Sequence, residues 1–336
     1  MEYIENDCTD PYFNLSLEEY LFKAEDNNTY FWLWQNDNTV VIGKNQNAFH
    51  EVNHEFMKKN NIKLARRITG GGAVYHDLGN LNFSFVAASN NKKDYDFRRF
   101  TDKIAKTLKA FEINAEYSSR NDLLIDGKKF SGSAQLVGKS KTVHHGTLLF
   151  SPDFEIIEKC LTPAKEKLMA HNVSSVKSRV TSISRHLPKP MSILEFKNKF
   201  IKEFLKDYDN VNIRKFTAEE TQAINKLRAE KFSSYEWIYG VSPLASPGLT
   251  GSNYSKSMRF EGCGVINLSM ELKSGIIHSC KITGDFFGSG DVGELEQLLK
   301  NRSYSRKDIL AAIAAIDLGY YFNNLSLENF LSLFDC

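Results

Sequence analysis

The sequence predicts an α+β fold: a large domain with a mixed or antiparallel sheet packed by helices, followed by a small α+β C-terminal domain. Three observations predict it. The chain has 336 residues, long for one hydrophobic core and ample for two. Strand-like alternation and helical stripes of apolar residues follow one another in an α+β order. Between Gly240 and Gly251 the residues Ser242, Pro243, Ser246, Pro247 and Gly248 crowd together as they do in connectors. The expected division is a first domain over 1–240, a linker over 241–251 and a C-terminal domain over 252–336.

Leu17, Tyr20, Leu21 and Ala24 recur at helical spacing. Tyr30 to Trp34 and Thr39 to Ile42 then read as two strands forming a hairpin-like pair. Ile62, Leu64 and Arg66 alternate into a glycine run, after which Ala73 to His76 and the alternating Leu81, Phe83, Phe85 and Ala87 supply two more strands. Phe97, Phe100, Ile104, Leu108 and Phe111 mark the apolar face of a helix that would cover this sheet. Leu123 to Ile125, the turn signal Asp126-Gly127 and Lys128 to Ala134 form the clearest hairpin. A strand over Val143 to Phe150 follows the turn at Gly138 to Lys141. Helices come next, opened by the capping boxes Ser192/Glu195 and Thr217/Glu220, the first leading a stripe of Phe196, Phe200 and Phe204. In the last segment Ile266, Leu268, Met270 and Leu272 alternate, as do Ile276, His278, Cys280 and Ile282. Helix starts follow at Asp291/Glu294 and Ser305/Asp308.

Composition narrows the function class. Hydrophobic content of 42% with 12% aromatic and 25% charged residues describes a globular chain. Forty-three basic against 41 acidic residues leave +2, so no charge excess calls for a nucleic-acid partner. Met1 to Asp7 lack the basic start and apolar run of a signal peptide. The longest apolar run, Ile309 to Ile316 between Asp308 and Asp317, is far too short to span a bilayer and is expected to be a buried helix. The five cysteines are scattered with no C-x-x-C pair, which fits reduced thiols in a cytoplasmic protein.

Three stretches can carry chemistry. Arg66, Arg67, Thr69, Gly70, Gly71 and Gly72 sit between strand signals, and consecutive glycines cost about 0.5–1 kcal/mol each in regular structure relative to alanine. Glycines there would let backbone N–H groups form an anion-binding nest, with Arg67 pairing with a phosphate or carboxylate; a flexible hairpin turn is the other reading. On an alternating strand Lys129 shares a face with Ser131 and Ser133. A lysine so placed can bridge a carboxylate nucleophile and an α-phosphate, or simply stand on a solvated edge. His144 and His145 are adjacent on a strand and point to opposite faces, so they cannot jointly hold a zinc ion; a satisfied buried histidine and a ligand contact are the two readings. The stretch Gly132 to Ser140 is no P-loop, because five residues separate its glycines where four are required. Gly262 and Gly264 lack the third glycine of a dinucleotide fingerprint, and His54 to Lys58 lacks the second histidine of a zincin and reads as a helix start.

Together these residues resemble the lipoate–protein ligase family, within the group that includes biotin–protein ligases and shares a class II aminoacyl-tRNA synthetase-like fold. The resemblance rests on Asp10 to Leu15, Ile42 to Asn47, the Arg66-to-Asn80 stretch with its triple glycine, Arg120 to Leu123, Lys129-x-Ser131-Gly132-Ser133-Ala134, and His144 to Leu149, all in the family's order. Ser175 to Val180 extends it. It implies a two-step reaction: lipoate and ATP give lipoyl-AMP and pyrophosphate, and a lysine of an acceptor protein then attacks the mixed anhydride. By motif position it implies Lys129 as the catalytic residue, and Arg67, Gly70, Gly71, Gly72, Ala73, Val74, Tyr75, Asn121, Lys129 and His145 as the ATP and lipoyl-AMP site. It places Asp122 near Mg2+, and Asn172 to Ser182 as a loop folding over the adenylate. The acceptors implied are apo lipoyl domains, of the glycine cleavage H protein or of 2-oxoacid dehydrogenase E2 subunits. Residues 252–336 resemble the family's accessory domain, whose presence implies that both steps occur on this chain. The nearest rival is a lipoyl or octanoyl transferase of the same fold without ATP-dependent activation, whose cysteine-dependent kind needs a thiol beside the acyl site; no cysteine lies between Thr9 and Lys159.

Overall fold

The computed structural model describes residues 1–89, 95–118, 121–161, 176–240, 242 and 253–336. Its strands are β1 (Glu2–Ile4), β2 (Tyr30–Trp34), β3 (Thr39–Ile42), β4 (Lys63–Arg66), β5 (Val74–His76), β6 (Asn80–Ala88), β7 (Glu116–Tyr117), β8 (Asp122–Ile125), β9 (Lys128–Val137), β10 (Lys141–Leu149), β11 (Asn212–Arg214), β12 (Tyr254–Phe260), β13 (Gly264–Lys273) and β14 (Ile276–Gly284). Among the described residues, eight of them form one mixed sheet in the order β11-β1-β2-β6-β10-β9-β8-β7. β1 runs parallel to β2 and β11, and the other pairs are antiparallel. A second, three-stranded sheet has the order β4-β3-β5, and a third, β12-β13-β14, belongs to the C-terminal residues.

The hairpin expected of residues 30–42 does not form. β2 is flanked by β1 and β6 in the large sheet, whereas β3 leaves for the centre of the second sheet. Every residue of both strands is buried, and such strands need cover on both faces that a two-stranded ribbon cannot give. The Asp126-Gly127 hairpin does form: both residues have positive φ (50° and 73°), as a type I′ turn requires.

Each face of the large sheet has its own core. On one, Phe85, Phe100, Ile104, Leu108 and Phe111 meet Phe196, Phe200 and Phe204 of the helix Ile193–Leu205, with Phe31 stacked on Phe204 at 4.1 Å. That helix starts where expected, because Ser192 and Glu195 close a capping box, as do Thr217 and Glu220 for the helix Ala218–Leu227. On the other face, Leu17 and Leu21 of the helix Pro11–Lys23 pack with Trp32, Trp34, Val86 and Val143. Asp10 caps this helix by accepting from the amides of Tyr12 and Phe13 at 2.8 and 3.1 Å, with Pro11 at its first position.

The C-terminal residues have a separate core of Ile266, Leu268, Met270, Ile282, Leu295, Ile309, Phe322 and Phe330. Helices begin at the Asp291 and Ser305 caps. The strand β12 carries no clean alternation and was not legible as one. The run 309–316 is neither wholly buried nor wholly helical: it spans the end of the amphipathic helix Arg306–Ile313 and the turn after it, with Ile309 and Ile313 facing the core while Ala311 and Ala314 are exposed. Of the expected linker, residues 241 and 243–251 lie outside the described residues.

His144, on the far face of β10 from His145, is fully buried and stacks on Phe100 at 4.7 Å, with neither ring nitrogen hydrogen bonded. Burial drives its pKa well below the ordinary histidine value. Its folded pKa is depressed, so the unfolded chain binds the proton more readily, and stability is lost as pH falls below about 6.5. We predict that His144→Phe flattens the acid limb of stability against pH by up to about 1.4 kcal/mol per pH unit, measured by urea unfolding between pH 7 and 5. An unchanged slope would contradict this.

A candidate active site over the large sheet

The helix-covered near face of the large sheet carries a row of cross-strand partners. Trp34 of β2 faces Asn82 of β6, which faces Thr147 of β10; Gly132 of β9 donates its amide to the Thr147 hydroxyl at 3.1 Å and pairs with Asp122 of β8. The next row holds Trp32, Ser84, His145 and Ala134. Because side chains alternate, both rows look the same way. From these rows Trp34, Asn82, Thr147, Gly132, His145 and Ala134 form the floor of a cleft of about 410 Å³ whose walls include Leu15, Val41, Ala73, Val74 and Phe287.

The second sheet holds the glycine loop above this floor. β4 and β5 flank β3, and the loop between them is tied down by Arg67 N–H to the Ile42 carbonyl at 3.1 Å and Lys44 N–H to the Thr69 carbonyl at 2.8 Å. Arg66 and Arg67 then diverge. Arg66 is fully buried and donates to the carbonyls of Gly43, Lys44, Gln46, Trp237 and Ile238, a structural clamp with its pKa pushed down to about 9 by burial. Arg67 lines the cleft, yet its fork is spent on the loop: Nη2 donates to Gly70 and Gly72 at 2.7 and 2.9 Å, Nη1 to Val41 at 3.2 Å, and Nε to the Thr69 hydroxyl at 3.0 Å. Burial lowers its pKa to about 10, still well above neutrality.

Lys129, Asn121 and Asp122 all line the cleft. Lys129 Nζ is 2.8 Å from Asp122 Oδ1 and would lie 2.8 Å from a Cβ placed on Gly132, so the ammonium lies over a glycine of the floor row. Asn121 bridges to β9, accepting from the Ser133 amide at 2.9 Å and donating its side chain back to the Ser133 carbonyl. Of the expected covering loop, residues 172–175 lie outside the described residues, as does Arg120. The described end of that loop runs beside the site: Val180 bridges to Lys129, and Thr181 donates its amide to the Lys129 carbonyl at 2.8 Å.

His145 is held on both ring nitrogens, Nδ1 by Glu18 at 2.9 Å and Nε2 by the Thr69 hydroxyl at 3.1 Å. Glu18, fully buried, also accepts from Ser84 Oγ at 2.6 Å, and Ser84 accepts from Trp34 Nε1 at 2.8 Å. A continuous chain of hydrogen bonds thus runs from Trp34 through Glu18, His145 and Thr69 to Arg67. His145 is both a satisfied buried histidine and a cleft residue.

Gly71, Gly72, Ala73 and Val74 line the cleft, but two expected neighbours do not. Tyr75 points to the opposite side of β5 from Val74 and His76, into the core with Val40 and Leu64, and donates to Asn38 Oδ1 at 3.0 Å. Gly70 serves packing: a Cβ there would come within 2.2 Å of the Phe286 carbonyl oxygen, so the glycine admits the C-terminal domain. Gly71 has φ of 93°, which disfavours any side chain. Trp34, His76 and Asn82 could have been found from strand alternation alone. Arg259, Asp285 and Phe287 could not, since they reach the cleft by long-range docking. That docking is fixed by Gly284 N–H to the Asn45 carbonyl at 2.9 Å, Lys44 Nζ to the Gly290 carbonyl at 3.1 Å, and Phe287 packed on Phe97 at 5.4 Å.

Comparison with known proteins matches this architecture at both ends. Residues 10–205 match the lipoyl protein ligase A/B catalytic domain, and residues 250–334 the bacterial lipoate protein ligase C-terminus. The chain belongs to the lipoate–protein ligase family. It is 37% identical over 337 residues to a lipoate-protein ligase of Bacillus subtilis, covering 99% of each chain. Among solved structures, Plasmodium falciparum LipL1 in complex with lipoate superposes with a TM-score of 0.77 at 26% identity, covering 98% of this chain and 96% of that one. A lipoate-protein ligase A bound with ATP superposes with a TM-score of 0.62 at 28% identity, covering 71% of this chain and 98% of that one. Family membership and fold agree with the sequence expectation. Among the described residues no helix is long and apolar enough to cross a membrane, and no group of three His, Cys, Asp or Glu side chains is placed to hold a metal.

Gly70 supplies the test of this docking. Gly70→Ala is expected to cost about 1–3 kcal/mol through overpacking against a backbone atom and, in scanning calorimetry, to split off an earlier transition for the C-terminal domain. A melt identical to wild type would refute the close approach.

Proposed function

We propose that the chain activates lipoate with MgATP as lipoyl-AMP, releasing pyrophosphate, and transfers the lipoyl group to a lysine of an apo lipoyl domain. The observation that carries this reading is Lys129 in a cleft that joins an apolar wall to a glycine loop and contains no thiol. In the first step a carboxylate oxygen of lipoate attacks the α-phosphorus, and the bond to the bridging oxygen breaks with its electron pair leaving on pyrophosphate. Lys129 would hold the attacking carboxylate and the α-phosphate together and offset the growing charge. Strands lie about 4.8 Å apart, so the row from Trp34 to Gly132 spans about 14 Å. An acyl chain laid along it would place its tail against Trp34 and its carboxyl at Lys129. Arg67 keeps the loop carbonyls turned inward to itself, leaving the backbone of Gly71, Gly72 and Ala73 to border the adenylate.

Magnesium would arrive with the nucleotide. A single carboxylate suits a cation that keeps most of its shell from phosphates and water, and Asp122 is such a group; it would have to exchange its contact with Lys129 for the metal. In the second step the acceptor amine attacks the lipoyl carbonyl and AMP leaves. Apo lipoyl domains of the glycine cleavage H protein or of 2-oxoacid dehydrogenase E2 subunits are the partners we propose, and the cytoplasm, where the unpaired cysteines stay reduced, is the proposed location.

The cysteine-dependent kind of the transferase alternative requires a reactive thiol at the acyl site. Cys160 is fully buried in the core with Val52 and Met57, its thiol pushed up to about 12 by burial, and it does not reach the cleft. The deciding experiment follows AMP and pyrophosphate release with lipoate, MgATP and an apo lipoyl domain, together with the acceptor's mass. Wild type should release both and lipoylate the acceptor, and Lys129→Ala should lose about 10²–10³-fold in rate. Acyl passage from another lipoyl protein without AMP would favour the transferase.

A further inference from the structure

A triphosphate needs positive charge that is not already committed. Among the described residues the cleft offers three cations, Arg67, Lys129 and Arg259. Arg67 is enclosed by loop carbonyls, and Lys129 is paired with Asp122 at 2.8 Å. Arg259 differs from both. It stands on β12 opposite Val265, is exposed, and has no hydrogen-bond or ion-pair partner among the described residues. It is brought to the cleft by the C-terminal domain, whose docking is anchored beside it: Asp285, also on the cleft, accepts the Val265 amide at 2.7 Å, and the next residue, Phe286, presses its carbonyl against Gly70.

We propose that Arg259 is a catalytic residue of the activation step, contacting the β- and γ-phosphates of ATP and neutralising the pyrophosphate as it leaves. This rests on the ligase reading above. A guanidinium suits the task, since it pairs with phosphate oxygens through two parallel N–H donors. The role belongs to one half-reaction only. When the acceptor lysine attacks lipoyl-AMP, pyrophosphate has gone and Arg259 has nothing to neutralise. The C-terminal domain therefore contributes a functional group to activation, beyond shielding the cleft.

The test uses the full chain and measures the two steps separately: pyrophosphate release from lipoate and MgATP, and transfer from synthetic lipoyl-AMP to an apo lipoyl domain. Arg259→Ala should slow the first step about 10²-fold and leave the second within about twofold, with Arg259→Lys recovering part of the loss. Equal loss in both steps, or none in the first, overturns the assignment. Calorimetric melts of both variants separate a folding defect from a chemical one, and since Arg259 is exposed the melts should match wild type. A wild type that makes no lipoyl-AMP would overturn the ligase reading and this role with it, whereas an active wild type with an unaffected Arg259→Ala overturns the role alone.

Discussion

The fork of Arg67 is the interaction on which the site depends. Carbonyl oxygens of Val41, Gly70 and Gly72 converge on one planar cation, which joins the second sheet to both limbs of the glycine loop. A buried guanidinium is costly to desolvate, and its hydrogen bonds to carbonyl dipoles offset that cost only where the geometry is complete. The loop is consequently held in one shape, and glycines occur where a side chain would collide with the arginine or with the docked C-terminal domain: a Cβ on Gly71 would sit 2.8 Å from Arg67 Nη2. Preorganisation of this kind lowers the reorganisation needed when charge develops at a reacting phosphate.

From Arg67 the order spreads in two directions. Thr69 passes it to His145, Glu18, Ser84 and Trp34, which fixes the floor of the cleft from beneath. Gly70 passes it to the Phe286 carbonyl, and so to the domain that carries Arg259 and Phe287. Polar and apolar walls are thus built by one buried network, and the two domains share the cleft.

Much of this was legible in the sequence because local chemistry decides it. Capping boxes at Ser192 and Thr217 and the Asp126-Gly127 turn each depend on neighbouring residues, and each formed. The alternation expected to put Lys129 on one face with Ser131 and Ser133 did not, because the register shift between Leu123 and Leu124 turns Lys129 over Gly132 of the cleft floor. The pairing of β2 with β3 was misread because adjacency in sequence suggested a hairpin, while their continuous burial required partners from elsewhere. Arg66 and Arg67 were similar in sequence and differ in structure: one clamps the turn at Gly43 to Gln46 without lining the cleft, the other borders it. Gly70 and Tyr75 were grouped with the ligand residues by motif, but strand alternation turns Tyr75 away and domain docking claims Gly70. Arg259 lay beyond reach, since an exposed arginine on an unrecognised strand gives no local sign of the cleft it faces.

If the planar fork rather than the charge of Arg67 shapes the site, Arg67→Lys is the most direct challenge. The measurement is the dissociation constant of a non-hydrolysable lipoyl-AMP analogue by titration calorimetry, with circular dichroism confirming that the variant folds. The account predicts at least about tenfold weaker binding, roughly 1.4 kcal/mol, because lysine cannot engage three carbonyls in one plane. Binding equal to wild type would contradict it and reduce Arg67 to a point charge.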